Sequence, residues 1–344
     1  MKSKLADIAQ AVNVRLAYHF DTLLAQQPAE LFFPAPQLAI TDEVRALTLR
    51  GGKRIRAALM TAGYELFAGN ALKNNSLVDC ACAMELLQTY FLIHDDIMDN
   101  DAERRGGPSV HVSLSNTFRN ETVGRNQAIL AGDLANALHE LILAKLSCDA
   151  SVQTAVQYIF SRMHVDVVLG QSLDLLGNAA PEDVVQRKTA SYTTIGPLCV
   201  GASLAGANSQ QLRAVANMAT PLGIAFQYRD DYIGVFGNTD NLGKPKGSDI
   251  KNNKRTLLID DAMRMSDEPG RSALRFALGN NDATDEDLQN AINAIEVCGA
   301  KARCETQIDT LSDTAFAQLR ALEARAFGKP FMEWLIGRLA ERNS

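Results

Sequence analysis

Asp95, Asp96 and Asp99 close an apolar run that extends from Met84 to Ile93. Within it Met84, Leu87 and Phe91 recur at i, i+3 and i+7, the spacing of a buried helix face. On such a helix Asp95 and Asp99 are one turn apart and point the same way, and Phe91 lies one turn below Asp95. Asp96 is rotated away by about 100°. The helix must stop near Asn100, because Gly106-Gly107-Pro108 cannot continue it. Three carboxylates then crowd a helix C-terminus whose dipole is already negative. They remain ionised together only beside cations. Arg104 and Arg105 supply two, and hard divalent ions would supply more, since Mg²⁺ takes one or two carboxylates along with phosphate oxygens. A solvated acidic helix end is the alternative reading of this stretch alone.

A second stretch narrows the choice. Phe226-Gln227-Tyr228-Arg229-Asp230-Asp231-Tyr232 again brings an apolar segment to an aspartate pair. Gly243-Lys244-Pro245-Lys246-Gly247-Ser248-Asp249 and then Lys254-Arg255-Thr256 follow it. Two acidic clusters, each with Lys or Arg downstream, suit a diphosphate gripped through metals from two sides. A third stretch, Gly51-Gly52-Lys53-Arg54-Ile55-Arg56, sets three cations beside glycines that let a backbone approach a ligand. It suits a second diphosphate; by itself it reads equally as a solvated basic face.

These motifs, with Gly170-Gln171-Ser172-Leu173-Asp174 and Lys188-Thr189 between them, occur in an order that resembles the trans-isoprenyl diphosphate synthases, short-chain type. The resemblance runs from about Leu47 to Thr256. It implies an all-α, isoprenoid-synthase-type helical bundle around a deep central cavity, residues 1–344 forming one domain, with the aspartate clusters on facing helices at the cavity mouth. The implied reaction is head-to-tail condensation of isopentenyl diphosphate with an allylic diphosphate (dimethylallyl or geranyl), with release of diphosphate.

The resemblance also distributes roles. Asp95, Asp99 and Asp230 would ligate Mg²⁺, three ions per site with substrate bound. Asp96, Asp231 and Asp174 would be further ligands or carboxylates just behind them, Asp174 orienting Lys188. Lys188, Thr189, Gln227, Arg104 and Lys244 would serve the allylic diphosphate and its departure. Lys53, Arg56, Gln88, Arg105 and Lys254 would bind substrate, the first four of them isopentenyl diphosphate, with Gln88 standing where many relatives have His. Phe91, Tyr90 and Leu87 would floor the cavity and set chain length. Aromatics four and five residues before the first Asp accompany short products, so the expectation is farnesyl diphosphate (C15), then geranylgeranyl diphosphate (C20). The chain departs from the family at Gly234, where many relatives place a third Asp. A class I terpene cyclase would share DDxxD and the helical fold, but would not need Lys53, Arg56 and Arg105. A non-catalytic synthase subunit would tend to lose aspartates that this chain keeps.

The whole chain sets the frame. Its 344 residues, 47% hydrophobic, are ample for a large core. A net charge of −6 argues against nucleic acid as a partner. Ala/Leu-rich segments with few alternating runs point to an all-α protein. No stretch reads as a membrane span or signal peptide. The six cysteines have neither zinc nor secreted-framework spacing and read as reduced packing residues of a cytoplasmic protein. The five histidines form no metal set. A homodimer is the expected assembly.

The elements that must position these residues can be read in order. Residues 4–26 form an amphipathic helix, and Pro28, Pro34 and Pro36 break the chain after it. Thr41-Asp42-Glu43 opens a helix leading to Gly51-Gly52, which resumes through Leu59 and Leu66. Residues 127–146 and 151–176 form long helices, the first with a buried Asp133. Pro181 starts another in its first turn, and Pro197 should kink it. Residues 209–235 carry the second aspartate pair. Ser266–Arg271 and Gly279–Asp285 read as surface loops, and 285–299, 301–327 and 330–342 as helices.

Overall fold

The computed structural model describes residues 1–23, 38–177, 179–237, 246–280 and 282–341. Pro28, Pro34 and Pro36, and Gly243 with Lys244, lie outside them. The described residues are overwhelmingly helical, and their only sheet is a two-stranded hairpin. The all-α expectation therefore holds. The chain divides into two compact units, Met1–Gln157 with Val200–Gly206, and Tyr158–Cys199 with Ala207–Ser344.

The first unit contains α1 (Lys2–Leu23), α2 (Ala39–Leu49), α3 (Ile55–Glu65), α4 (Asn75–Asp99), the hairpin β1 (Glu103–Arg104) and β2 (Gly107–Pro108), α5 (Val110–Phe118), α6 (Glu121–Ala144) and the start of α7 (Ala150–Leu176). Helices α1, α2, α3, α5 and α6 all pack on α4. That explains its sequence: Leu77, Cys80, Cys82, Met84, Leu86 and Leu87 are all buried, so α4 is apolar on nearly every side rather than along one stripe. Length and composition alone would let α4 cross a membrane, but 72% of its apolar window is buried in the unit, as in a core helix. Asn74 caps its start by accepting from Leu77 N at 3.0 Å. At its end Asn100 turns left-handed at φ 55°, a conformation Asn tolerates, and Asn100 N bonds back to Asp96 O. Arg15 fastens α1 to α4 by donating to both carboxylate oxygens of Asp79 at 2.6 and 2.9 Å, with His19 Nε2 at 2.7 Å from Oδ1. Burial alone would raise the Asp79 carboxyl, but the hydrogen bonds from His19 and Arg15 hold it below its ordinary value.

The second unit contains the rest of α7, then α8 (Pro181–Val184), a π-helical stretch (Val185–Ile195) and the start of α9 (Gly196–Leu204). It continues with α10 (Ser209–Phe236), α11 (Ser248–Lys251), α12 (Leu257–Met265), α13 (Glu268–Ala277), α14 (Asp285–Val297), α15 (Ala300–Ala321) and α16 (Lys329–Glu341). Here α10 is the central helix, packed by the π-helical stretch, α11, α12, α15 and α16. Tyr228 and Val235 of α10 share a buried cluster with Ile250, Leu258, Ile292, Ile295 and Ile308. The chain enters α10 through a reciprocal cap between Asn208 and Gln211.

Several local expectations change. Helix α2 starts at Ala39, so Thr41 is inside its first turn and its hydroxyl donates to Leu38 O at 2.7 Å instead of capping. Ser266–Arg271 is not a loop: Asp267 accepts from Gly270 N at 2.9 Å and α13 starts at Glu268, with Pro269 in its first turn where no N–H is needed. The helix expected over 301–327 ends at Ala321, where Leu322 becomes extended. Asp133 is exposed, not buried. The kink expected at Pro197 takes the form of the π-helical stretch. Gly196 N reaches back five residues to Ser191 O, and Pro197 falls in the first turn of α9.

Candidate active site

At the end of α4, Asp96 is fully buried, Asp95 is half-buried and Asp99 is exposed. Helical rotation does this, since Asp95 and Asp99 share one face and Asp96 turns inward. The hairpin folds Arg104 back onto the cluster through its turn residues Arg105 and Gly106, both at positive φ. Arg104 Nε donates to Asp96 Oδ1 at 2.7 Å, and Nη2 reaches the same oxygen and Asp101 Oδ2, the latter at 3.1 Å. Nη2 is 4.0 Å from Asp95 Oδ2. Asp96 is still pushed up to about 6, first by burial and then by the Asp101 and Asp95 carboxylates, against the pull of Arg104. Asp96 Oδ2 is buried with no hydrogen-bond partner.

Beside it the same unit gathers cations. Gly51 and Gly52 are left-handed at φ 63° and 101°, and Arg105 packs against Gly52. Arg105 Nη1 donates to Leu47 O and Arg50 O at 3.3 and 3.4 Å. Burial lowers the Arg105 guanidinium; Glu85 opposes this, while Arg54, Arg56 and Arg104 add to it. Such a cluster favours an anion. The three cations of the motif are not equivalent. Arg54 is buried and committed: it donates to Glu85, to Asn13 Oδ1 and to Thr48 O. Lys53 is exposed and Arg56 half-buried. Gln88 is half-buried on α4, two turns below Asp95. Sequence reasoning passed over Arg50, whose Nη1 holds the hairpin by Pro108 O at 3.0 Å and Arg104 O at 3.3 Å. Its place directly before Gly51 was the available signal.

In the second unit a chain of polar side chains runs from the π-helical stretch to α12. Thr189 Oγ1 donates to Gln227 Oε1 at 2.7 Å, and Gln227 Nε2 donates to Asp231 Oδ1 at 2.7 Å. Leu257 N donates to Asp231 Oδ2 at 3.0 Å. Asp231 is buried with both oxygens engaged, whereas Asp230 is half-buried beside it. Burial raises Asp231 to about 8, with the Asp230 and Asp249 carboxylates adding to the rise and the bonds from Gln227 and Leu257 opposing it. Lys188 Nζ donates to Asp174 Oδ2 at 2.7 Å. These two meet because Gly170 lets α7 approach; a methyl carbon there would lie 2.5 Å from Lys188 N. Lys254 is half-buried and its N–H bonds to Asp249 O at 2.9 Å. Lys244 lies outside the described residues.

Leu87 is wholly buried, and Phe91 and Tyr90 are half-buried on successive bearings of α4. Tyr90 stands edge-on to His94 at 4.8 Å, and His94 Nε2 lies 3.1 Å from Ile129 O of α6. Tyr90 is therefore turned towards α6. A cavity of ≈ 320 Å³ in the second unit, lined by Arg162, Asp166 and Arg187 among others, contains neither aspartate pair.

Among the described residues no three His, Cys, Asp or Glu side chains converge on a metal position. The donors in the two aspartate pairs are carboxylate oxygens, which suit hard divalent ions.

The chain is thus an all-α protein whose two central helices each carry acidic, cation-flanked residues near their ends. Residues 38–295 match the polyprenyl synthetase family, and the chain belongs to it. It is 34% identical over 258 residues to a short chain isoprenyl diphosphate synthase of Methanocaldococcus jannaschii, covering 73% of this chain and 74% of that one. It is 34% identical over 255 residues to a geranylgeranyl diphosphate synthase of Sulfolobus acidocaldarius, covering 72% and 73%. A solved geranylgeranyl pyrophosphate synthase of Corynebacterium glutamicum, complexed with isoprenyl diphosphate and magnesium, superposes with a TM-score of 0.89 at 31% identity over 98% of this chain and 99% of that one.

Proposed function

We propose that this protein is a short-chain trans-prenyltransferase that joins isopentenyl diphosphate head-to-tail to an allylic diphosphate. One observation carries the reading. The first unit holds an acidic helix end at Asp95, Asp96 and Asp99, and beside it a separate cation cluster of Lys53, Arg56 and Arg105. A metal-bridged diphosphate suits the first and a directly bound diphosphate the second. Two diphosphate substrates are what a transferase needs and a cyclase does not.

Asp95, Asp99 and Asp230 would hold Mg²⁺, three ions per site with substrate bound, and Asp96, Asp231 and Asp174 would support them. Mg²⁺ held there would supply Lewis-acid stabilisation of the leaving diphosphate. Arg104, Lys188 and Lys244 neutralise that diphosphate's remaining charge. Asp174 holds Lys188 in place, and the Thr189–Gln227–Asp231 chain fixes Thr189 where the π-helical backbone presents it. Lys53, Arg56, Gln88 and Arg105 orient isopentenyl diphosphate, with Lys254 as a further substrate contact. The allylic C–O bond breaks, a C–C bond forms to the alkene carbon, and the proton released goes to the departed diphosphate. Phe91, Tyr90 and Leu87 limit growth.

For the product, aromatics at Tyr90 and Phe91 favour C15. The geranylgeranyl diphosphate synthases among the relatives favour C20 at least as strongly. Exposed Val123, Ile129, Leu130 and Leu141 give α6 an apolar outer face, which supports a homodimer. All six cysteines are free, in keeping with a cytoplasmic protein. Residues 1–344 act as one catalytic domain. The test is incubation with isopentenyl and dimethylallyl diphosphates and Mg²⁺. Consumption of both with diphosphate release supports the reading; a cyclised hydrocarbon from one substrate, or no turnover, refutes it.

A further inference from the structure

The hairpin that carries Arg104 and Arg105 is too short to hold itself. Its whole register is Glu103 against Pro108 and Arg104 against Gly107, and so short a ladder is marginal alone. Its turn sets Arg105 and Gly106 both at positive φ, and only the glycine adopts that without cost. One more backbone bond, from Ser109 N to Ala102 O at 3.0 Å, closes the open end. Side chains supply further support. Arg104 leans on Asp96 and Asp101. Arg50 grips the backbone of both strands: its Nη1 donates to Arg104 O of β1 at 3.3 Å and to Pro108 O of β2 at 3.0 Å.

The grip is reciprocal. Arg50 is the residue that ends α2, and a helix end leaves carbonyls without helical partners. Arg105 Nη1 donates to two carbonyls there, Leu47 O at 3.3 Å and Arg50 O at 3.4 Å. So α2 sends one guanidinium to the hairpin, and the hairpin returns one to α2. The Gly51-Gly52-Lys53 segment leaves α2 directly after Arg50, with Gly52 lying against the Arg105 guanidinium. Gly107 makes room for this clasp, since a methyl carbon built on it would lie 2.6 Å from Arg50 Nη1.

We infer that Arg50 is a positioning residue for both diphosphates. By fixing the hairpin against the end of α2, it sets Arg104 for the allylic diphosphate and Arg105 for isopentenyl diphosphate at once. The inference rests on the prenyl-transfer reading for what those two guanidiniums bind.

The test measures the Kd of isopentenyl diphosphate and of the unreactive dimethylallyl thiolodiphosphate, each by calorimetry on the full chain with Mg²⁺, and thermal melting checks the fold. Arg50→Met keeps the length of the side chain and removes its donors. It should weaken both compounds by about 10-fold, the scale for losing a charge-assisted hydrogen bond. Gly107→Ala keeps the positive charge and pushes it off the hairpin; Gly107 is not at positive φ, so alanine fits its backbone. It should also weaken both compounds, and should add nothing in the Arg50→Met background. Should Arg50→Met fail to fold, Gly107→Ala carries the test alone. A folded Arg50→Met that binds both compounds like wild type, or weakens only one, overturns the inference and leaves the transferase reading standing. So does a Gly107→Ala chain with wild-type affinities, which would reduce Arg50 to its charge. A wild-type chain that binds neither compound overturns both.

Discussion

Phe91→Ala tests the reading of α4 as a ruler. Phe91 precedes Asp95 by one turn, about 5.4 Å, and Leu87 lies one further turn below, again about 5.4 Å. One turn is roughly the length of an isoprene unit, so removing the ring should admit one more unit before Leu87 stops the chain. The driving force is burial of five more carbons, about 4 kcal/mol at ~0.8 kcal/mol per carbon. That is enough to redirect nearly all product once the steric stop is gone. Phe91 is half-buried, so the stability cost should sit at or below the lower end of the ~3–5 kcal/mol seen for buried Phe→Ala. The assay is mass spectrometry of dephosphorylated products from isopentenyl and dimethylallyl diphosphates. The expected result is a shift of one C5 unit for Phe91→Ala. Tyr90→Ala should add to it but act weakly alone, because Tyr90 leans edge-on against His94. Phe91→Ala/Leu87→Ala should gain a further unit. An unchanged chain length in Phe91→Ala/Tyr90→Ala, with melting showing a folded protein, would refute the ruler.

Other consequences can be checked in parallel. Asp95→Ala or Asp230→Ala should cut turnover by about 10²–10⁴-fold, the scale for loss of a charge-stabilising group, and full activity in excess EDTA would contradict the metal role. Lys53→Ala or Arg56→Ala should raise KM for isopentenyl diphosphate, and Arg104→Ala should act on kcat or the allylic KM; steady-state kinetics with each substrate varied separates them, and an effect of all three confined to the allylic substrate would sink the assignment. Burial pushes the thiols of Cys199 and Cys304 up to about 12 and those of Cys80 and Cys82 well above their usual value. Native labelling with a thiol reagent at pH 8 should therefore reach only Cys148 and Cys298, which mass mapping would show. Asp79→Asn should destabilise the fold by about 1–3 kcal/mol at pH 7. Because the folded carboxyl titrates below its ordinary value, this stabilisation is present above the unfolded value and disappears as pH falls through the folded one; denaturant melts of equal difference from pH 7 down to pH 2 would contradict it.

Periodicity exposed the long helices because each has a strong physical cause. Helix α4 is packed by α1, α2, α3, α5 and α6, and its apolar run ends at residues that cannot continue a helix. What escaped are short elements set by caps and turns. Helix α13 depends on one Asp267 cap followed by a proline and a glycine that, in sequence, look like a loop. The hairpin depends on two consecutive positive-φ residues, one of them Arg105, a residue type that carries no turn signal.

The site was legible where chemistry is local and illegible where it is tertiary. Aspartates four apart on a helix must share a face, so Asp95 and Asp99 could be paired from spacing alone. Lys53-Arg54-Ile55-Arg56 could not be resolved that way. In the fold Arg54 is left-handed and its guanidinium is spent on Glu85, Asn13 and Thr48, so the proposed diphosphate contacts fall to Lys53 and Arg56. Partners distant in sequence make that distinction, Glu85 thirty-one residues away on α4 and Asn13 forty-one away on α1. Asp231 is a second case, since residue type and spacing alone do not tell what holds it apart from Asp230. Gln227 reaches it from one turn earlier on α10, but Leu257 N comes from another helix, and together they take both its oxygens. Of two adjacent carboxylates, Asp231 ties α10 to α12, and the proposed metal role falls to Asp230. Asp230→Asn and Asp231→Asn should accordingly fail differently: the first in metal-dependent turnover with an unchanged melting temperature, the second in melting temperature as well. Equal melting temperatures for the two variants would show that Asp231 is not the anchor its hydrogen bonds indicate.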